Sequence, residues 1–300
     1  MKQEILHIMP MRLRGELTKS LKYETGIEEI RVRIGRPLEI RFRAKSFFLE
    51  EPVTAADIEE MLTFISRYSI YAYEDEIRQG YLTIEGGSRI GFAGQVRLLH
   101  GQVDRMTNIR FLNIRIANEQ KGCAKQLLPW LFADGEFLNT LLVSKPGIGK
   151  TTLLRDCIRL LSDGYAGREG RKICVIDERS EIAACHLGIP QNDVGIRTDV
   201  LDGGPKTEGM RMALRSMSPE IIAVDELGGI EDAKAVREMA LSGCKILGTI
   251  HGDAIDRVTK TEGVAQMYRQ KLFQRYILLK RETDGKRAYF VFDEVGKRLC

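Results

Sequence analysis

Residues 144–152 read SKPGIGKTT, that is Ser144, Lys145, Pro146, Gly147, Ile148, Gly149, Lys150, Thr151 and Thr152. The apolar run 140–143 precedes this segment, and a helical pattern over 151–161 follows it. Glycines allow a tight turn whose backbone N–H groups point inward at phosphate oxygens, and the N-terminus of a helix adds a partial positive charge. Strand, glycine-rich loop, lysine, hydroxyl and helix in this order predict a phosphate-binding loop, or P-loop.

Two side chains of the loop have predicted roles. Lys150 can reach the β- and γ-phosphates of ATP, and Thr151 can give its hydroxyl to Mg²⁺. The usual pattern begins with glycine, whereas this chain has Ser144, which is also small. The alternative is a glycine-rich turn into a helix that binds no ligand.

The segments around the loop predict the fold of the second part of the chain. Four short runs are apolar throughout their centres, as strands buried on both faces are, and they cover residues 140–143, 172–176, 221–224 and 245–250. Helical patterns lie between them at 151–161, 208–217 and 232–242, and residues 264–292 add a helix and two strands. This alternation predicts an α/β domain of the P-loop NTPase (RecA-like) type, with a parallel sheet and helices on both faces.

The first part of the chain predicts a smaller α+β domain. A helical stretch covers 5–23, another covers 57–68, and the glycine-rich segment 80–94 is typical of a hairpin. In 30–34 and 40–43, apolar residues alternate with Arg31, Arg33, Arg41 and Arg43, which places the arginines on one face of two strands. Loop signals at 118–137 separate the domains, which we assign to residues 1–125 and 126–300.

Carboxylates follow two of the predicted strands. Asp225 and Glu226 end the strand 221–224, and Asp177 to Glu181 follow the strand 172–176. Strand ends of one parallel sheet meet beside the loop, so Asp225 can hold magnesium through water and Glu226 can orient the attacking water. Glu178 is a candidate for a second acid that positions water or magnesium. Helix capping by the first pair and a solvated loop for the second cluster are the alternatives.

Three further residues are candidates for the site. His251 ends the strand 245–250, where it can sense the γ-phosphate, although a lone histidine is often structural. Arg211 and Arg215 are four residues apart, so they share one helix face. They can compensate phosphate charge within the chain or across a subunit contact, and ordinary surface arginines are the alternative.

Several segments resemble known families. Those at 175–182, 208–228 and 248–253, together with the loop, resemble the Asp-box, Walker B, His-box and Walker A elements of secretion-superfamily ATPases. Over residues 25–295 the chain resembles the family of stage III sporulation protein AA, through EEIRVRIGRPLEIRF (28–42), GYLTIEGGSRIGFAGQ (80–95), LNIRIA (112–117), IDERSEIAA (176–184), EGMRMALRSMSPEIIAVDE (208–226) and TIHGDAIDR (249–257).

The resemblance implies a cytoplasmic ATPase of endospore-forming bacteria that energises a channel complex between mother cell and forespore. It implies a homo-oligomeric ring, a hexamer, with membrane-embedded channel proteins of the same operon as partners. It assigns Lys150 and Thr151 to Walker A, and Asp225 and Glu226 to Walker B. It assigns Glu178 to the Asp box and His251 to the His box. The family's Asp box commonly reads Glu-Asp-Pro, whereas this chain has Asp177, Glu178 and Arg179. In the superfamily, arginines of the N-terminal domain can close over the nucleotide, which makes Arg115 a further candidate; the alternative for the N-terminal arginines is a solvated strand face.

Composition limits the remaining classes. No run approaches 18 apolar residues and the start lacks a secretory pattern, so we expect a cytoplasmic chain. The family resemblance implies that it is peripheral to the membrane at the boundary between mother cell and forespore. The six cysteines form no Cys-x-x-Cys pair, which argues against zinc, and a net charge of +4 is too small to indicate nucleic acid. A nucleic-acid translocase and a ring scaffold that binds ATP without hydrolysing it are the alternative functions.

Overall fold

The structure, a computed structural model, describes residues 3–20, 26–42, 45–66, 77, 80–282 and 287–300. The chain divides into two compact units, Met1–Asn118 and Glu119–Cys300. This division falls within the loop region predicted at 118–137, a few residues before the boundary assigned at 125.

The N-terminal unit is an antiparallel sheet with helices on one face. Its elements are α1 (Gln3–Ile8), α2 (Met11–Ser20), β1 (Ile27–Arg33), β2 (Pro37–Phe42), β3 (Ser46–Pro52), α3 (Ala55–Ile65), β4 (Tyr81–Thr83), β5 (Arg89–Leu99) and β6 (Gln102–Arg115). The strands are ordered β3-β2-β1-β6-β5-β4, and each neighbouring pair is antiparallel. Ile30, Val32 and Ile40 are fully buried, so the predicted alternation in β1 and β2 is confirmed.

The prediction of one helix over residues 5–23 is wrong in its extent. The single helix expected over 5–23 is two helices, α1 and α2, separated at Met9 and Pro10. Proline has no N–H to continue α1, and it disfavours helical geometry in the residue before it. The Pro10 carbonyl instead accepts hydrogen bonds from the N–H groups of Leu13 and Arg14, which starts α2. The end of the predicted helix at Tyr23, and that of the helix 57–68 at Tyr68, lie outside the described residues.

The C-terminal unit contains the predicted parallel sheet. Its elements are a 3₁₀ turn (Leu128–Leu131), β7 (Phe132–Ala133), β8 (Glu136–Phe137), β9 (Thr140–Ser144), α4 (Lys150–Asp163), β10 (Ile173–Asp177), β11 (Thr198–Asp202), α5 (Lys206–Ser216), β12 (Ile221–Val224), α6 (Ile230–Leu241), β13 (Lys245–His251), α7 (Ile255–Val258), α8 (Glu262–Arg269), β14 (Arg275–Arg281) and β15 (Arg287–Phe292). The large sheet is ordered β11-β10-β12-β13-β9-β14-β15. All neighbours are parallel except β14 and β15.

Both faces of this sheet are buried. Leu142, Val175 and Leu247 pack with α4 in one apolar cluster, whereas Leu141 and Ile222 pack with α5, α6 and α8 in another. Helices therefore cover both faces, as the continuously apolar strands predicted. Because β9, β10, β12 and β13 are parallel, their carboxyl ends lie at one edge of the sheet, where the residues that follow them meet.

Candidate functional site at the carboxyl edge of the parallel sheet

The glycine-rich loop connects β9 to α4 at this edge. Gly147 and Gly149 have φ of +76° and +104°, a region that side chains disfavour, and Gly149 is the N-cap of α4. Ser144 is fully buried, and its hydroxyl donates a hydrogen bond to the Lys145 carbonyl at 3.0 Å. Serine is therefore accommodated at the position where the usual pattern has glycine.

Lys150, the first residue of α4, is a buried cation. Its side chain is only 5% exposed, and its Nζ lies 3.3 Å from Nδ1 of His251. Among the described residues its ammonium forms no ion pair. Burial lowers the pKa of Lys150, against the opposing effect of the more distant carboxylates of Asp225, Glu226 and Glu181. A buried positive charge without an ion pair among the described residues therefore lies directly after the loop.

Thr151 and Asp225 lie side by side. The Thr151 hydroxyl donates to Oδ2 of Asp225 at 2.8 Å, and Thr249 of β13 donates to Oδ1 of the same carboxylate. A hydroxyl and a carboxylate oxygen are hard ligands of the kind that Mg²⁺ prefers, and Mg²⁺ sites with one or two protein carboxylates obtain their other ligands from phosphate and water. The residues present therefore fit a magnesium–nucleotide complex. Thr249 was not predicted, although its position in the strand 245–250 places it at this edge.

Glu226 is held in an unusual backbone conformation. Its φ is +55°, and its N–H donates to Oγ1 of Thr249 at 3.0 Å. Its Oε1 lies 2.8 Å from Nε2 of His251, and its Oε2 lies 2.7 Å from Nη1 of Arg179. Burial raises the pKa of Glu226, but the hydrogen bond to His251 and the charge of Arg179 outweigh it and hold this pKa below its ordinary value. The carboxylate is therefore anionic at neutral pH.

His251 links the loop lysine to this carboxylate. An ammonium can only donate, so Nδ1 of His251 must accept from Lys150, and the ring proton is then on Nε2. That proton is donated to Glu226. Lys150, His251 and Glu226 thus form one chain of hydrogen bonds from the loop to the end of β12.

The acidic cluster after β10 divides into two kinds of carboxylate. Asp177 is 2% exposed and accepts hydrogen bonds from the backbone N–H groups of Glu181, Ile182 and Ala183 at 2.8–3.0 Å. Its carboxylate therefore shapes the turn. Glu178 is more exposed, and its Oε2 lies 3.1 Å from Nζ of Lys206.

Lys206 joins this cluster to the end of β12. It is the first residue of α5, and its ammonium donates to the Glu226 carbonyl at 2.8 Å while it pairs with Glu178. Neither Lys206 nor Arg179 was predicted. Arg179 lies inside the acidic cluster that the sequence had singled out, whereas nothing local marks Lys206.

The remaining predicted arginines have other partners. Arg211 pairs with Glu238 of α6 at 2.9 Å, and Arg215 pairs with Glu208 at 3.1 Å. Neither contacts the loop or the carboxylates within the chain, so their role across a subunit contact stays a prediction.

The predicted arginines of the N-terminal unit pair within its sheet. Arg31 and Arg41 pair with Glu29, and Arg33 pairs with Glu39. Arg115 ends β6 opposite Glu29, and Arg43 lies outside the described residues. In the part of the chain that the structure describes, no helix is long and apolar enough to cross a membrane.

Comparison with solved structures supports the fold assignment. The ATPase DotB of Legionella pneumophila aligns with a TM-score of 0.59 and 17% identity, over 92% of this chain and 78% of that chain. The pilus retraction motor PilT with bound ADP aligns with a TM-score of 0.62 and 18% identity, over 94% of this chain and 82% of that chain. The chain therefore shares the fold of these two proteins.

Comparison of sequences identifies the family. The chain is 40% identical to stage III sporulation protein AA of Bacillus subtilis (strain 168), over 99% of this chain and 96% of that protein. The family model described as "Sporulation stage III, protein AA" matches residues 1–299. The chain belongs to the sporulation stage III protein AA family.

Proposed function

We propose that the chain binds ATP with Mg²⁺ and hydrolyses it. The observation that carries this proposal is the buried ammonium of Lys150, which forms no ion pair among the described residues and directly follows the glycine-rich loop at the start of α4. A buried ammonium without an ion pair lowers the stability of the folded protein by up to several kcal/mol, depending on how far it is hydrated. A bound phosphate compensates its charge. In this proposal Thr151 and Asp225 hold the magnesium ion, which supplies charge neutralisation at the phosphates.

Glu226 is the proposed base that orients the attacking water. Both of its carboxylate oxygens are engaged, one by His251 and one by Arg179. Each carboxylate oxygen can accept a second hydrogen bond, so the attacking water binds either beside these contacts or after one of them opens. His251 is suited to control this step because it contacts both Lys150 and Glu226, so a phosphate that draws Lys150 away also alters the hydrogen bond to Glu226.

The biological role is proposed from the family. Hydrolysis energises assembly of, or transport through, a channel between mother cell and forespore during endospore formation. The chain acts there as a homo-oligomeric ring, a hexamer, at the cytoplasmic side of the membrane, with membrane-embedded channel proteins as partners. The names of the proteins it resembles, which include a sporulation protein, an ATPase and a pilus retraction motor, support this role.

The test is steady-state ATP hydrolysis with Mg²⁺ by the intact chain, compared with Lys150→Ala and Glu226→Gln. We expect turnover in the intact chain, loss of nucleotide binding in the first variant, and binding without turnover in the second. Lys234→Gln is the matched control, because its ammonium pairs with Glu231 on the exposed face of α6 and neither residue is a candidate for the site.

Two other outcomes are informative. ATP binding without turnover in the intact chain, unchanged when the channel proteins are added, favours a ring scaffold over an enzyme. Stimulation of turnover by single-stranded DNA favours a nucleic-acid translocase. Failure of the intact chain to bind ATP contradicts the proposal itself.

A further inference from the structure

An arginine from the last β-hairpin lies against the P-loop. Arg287 is the first residue of β15, which pairs with β14, and β14 pairs in turn with β9, the strand that leads into the loop. A Cβ atom placed on Gly149 would lie 2.6 Å from Nη2 and 3.0 Å from Cζ of Arg287. The guanidinium therefore packs directly on the Cα of Gly149, in space that any side chain at position 149 would occupy.

Among the described residues, Arg287 forms no ion pair and donates no hydrogen bond, although it is half-buried. Two side chains near it, Tyr289 and Cys123, are uncharged at neutral pH. The Tyr289 hydroxyl donates to the Cys123 carbonyl at 3.0 Å, and burial raises the pKa of the Cys123 thiol to about 11. A second positive charge without an ion-pair partner among the described residues therefore lies against the loop.

Phosphate is the chemistry that this arrangement recognises. A guanidinium presents planar N–H donors that match phosphate oxygens, and such charge-assisted hydrogen bonds are stronger than neutral ones. The N–H groups of the loop and the N-terminus of α4 attract the same anion. We propose that Arg287 is a nucleotide-binding residue, which donates from its guanidinium to a phosphate of the nucleotide held by the P-loop of its own chain. This inference rests on the proposed function.

Arg287 differs from Lys150 in its burial and in its position in the chain. Lys150 is buried at the start of α4, whereas Arg287 reaches the loop from a strand more than 130 residues later in the chain. Lys150 is required for any phosphate in the loop. Arg287 adds affinity from the solvent side, so its loss weakens binding without abolishing it.

The first experiment measures the dissociation constant of a fluorescent ADP analogue with Mg²⁺, for the intact chain and for Arg287→Gln, Arg287→Lys and Arg298→Gln. One lost charge-assisted hydrogen bond corresponds to a loss of affinity of roughly tenfold or more. We expect at least a tenfold increase in the dissociation constant for Arg287→Gln and a smaller one for Arg287→Lys, which keeps the charge. Arg298 is the matched control, because its guanidinium stacks 4.6 Å from the ring centre of Phe290, on the other face of β15.

A second measurement uses only the intact chain, so it does not require that a variant folds. An arginine-selective dicarbonyl reagent is applied to the intact chain with and without Mg–ADP, and modification of each arginine is read by peptide mass spectrometry. We expect nucleotide to protect Arg287 and not Arg298. Equal affinity of Arg287→Gln and Arg298→Gln, or no protection of Arg287 in a chain that binds ADP, overturns the inference and leaves the proposed function standing. An intact chain that binds no nucleotide instead overturns the proposed function.

Discussion

Replacing Lys150 with methionine is expected to stabilise the protein in the absence of nucleotide. Methionine keeps the length and apolar stem of the lysine, so packing around the 5%-exposed side chain is preserved. The change removes a buried ammonium whose one direct contact among the described residues is Nδ1 of His251. Burying a poorly satisfied polar group costs on the order of 1–3 kcal/mol. Nearby carboxylates recover part of this, so we expect Lys150→Met to raise the free energy of unfolding by about 1–2 kcal/mol.

The gain depends on pH in a defined direction. Burial lowers the pKa of Lys150 in the folded protein, below the ordinary value of 10.5 that applies to the unfolded chain. At neutral pH the lysine is charged in both states, so its cost to the folded state is fully present. As pH rises through the folded-state pKa, the folded protein releases this proton before the unfolded chain does, and the cost declines. The difference between Lys150→Met and the intact chain should therefore shrink as pH approaches 10.5.

The assay is urea unfolding followed by tryptophan fluorescence. Trp130 is the single tryptophan of the chain and lies in the unit Glu119–Cys300, so its emission follows the unit that contains the loop. Lys206→Met is the matched control, because that ammonium is paired with Glu178 and with the Glu226 carbonyl, and its loss should destabilise the unit by about 1 kcal/mol. Adding Mg–ATP should reverse the order, since binding stabilises the intact chain and not Lys150→Met.

A loss of stability of 1 kcal/mol or more in Lys150→Met would refute this reasoning. A difference that does not change with pH would refute it as well. Either result would mean that the ammonium is compensated within the chain, and the observation that carries the proposed function would then be lost.

Three further predictions concern the carboxylates. Glu226→Gln should lower turnover by about 100-fold or more and leave the dissociation constant of Mg–ATP within about threefold, measured by steady-state kinetics and equilibrium binding; a similar loss of binding would contradict its role as a base. Asp225→Asn should weaken Mg–ATP binding about tenfold while Mg²⁺-free ADP binds as before, and equal loss with and without Mg²⁺ would argue against a magnesium ligand. Asp156→Asn should lose about 1–2 kcal/mol, because the carboxylate accepts from two backbone N–H groups and from Arg159. Burial raises the pKa of Asp156, but these bonds outweigh it and lower the pKa below 3.8. The difference in unfolding free energy between the intact chain and Asp156→Asn should therefore be constant above about pH 4 and vanish as pH falls through the folded-state pKa. A difference that persists in acid would exclude the charge of Asp156 as its source.

The sequence pattern was sufficient to predict those features whose physical cause lies in neighbouring residues of the chain. The loop was recognisable because its backbone needs glycine where φ is positive, as at Gly147 and Gly149, and because a helix must follow. The parallel strands were recognisable because burial on both faces requires uninterrupted apolar residues. The edge strand β11 was missed, because Thr198–Asp202 is only partly buried and carries polar residues that a buried strand would exclude. Pro10 was present in the sequence, but the apolar periodicity on either side of it concealed the break between α1 and α2.

The sequence by itself determined the class of the fold, and it predicted the loop and the candidate carboxylates, because each of these depends on residues close together in the chain. Only the tertiary structure decided which distant side chains complete the site. The order of strands brings Thr249 to Asp225 and Arg287 to Gly149, and the start of α5 brings Lys206 to Glu178. The tertiary structure also pairs Arg211 and Arg215 with glutamates away from the loop. These contacts join segments tens of residues apart, and no local periodicity records which strand ends become neighbours in the folded sheet.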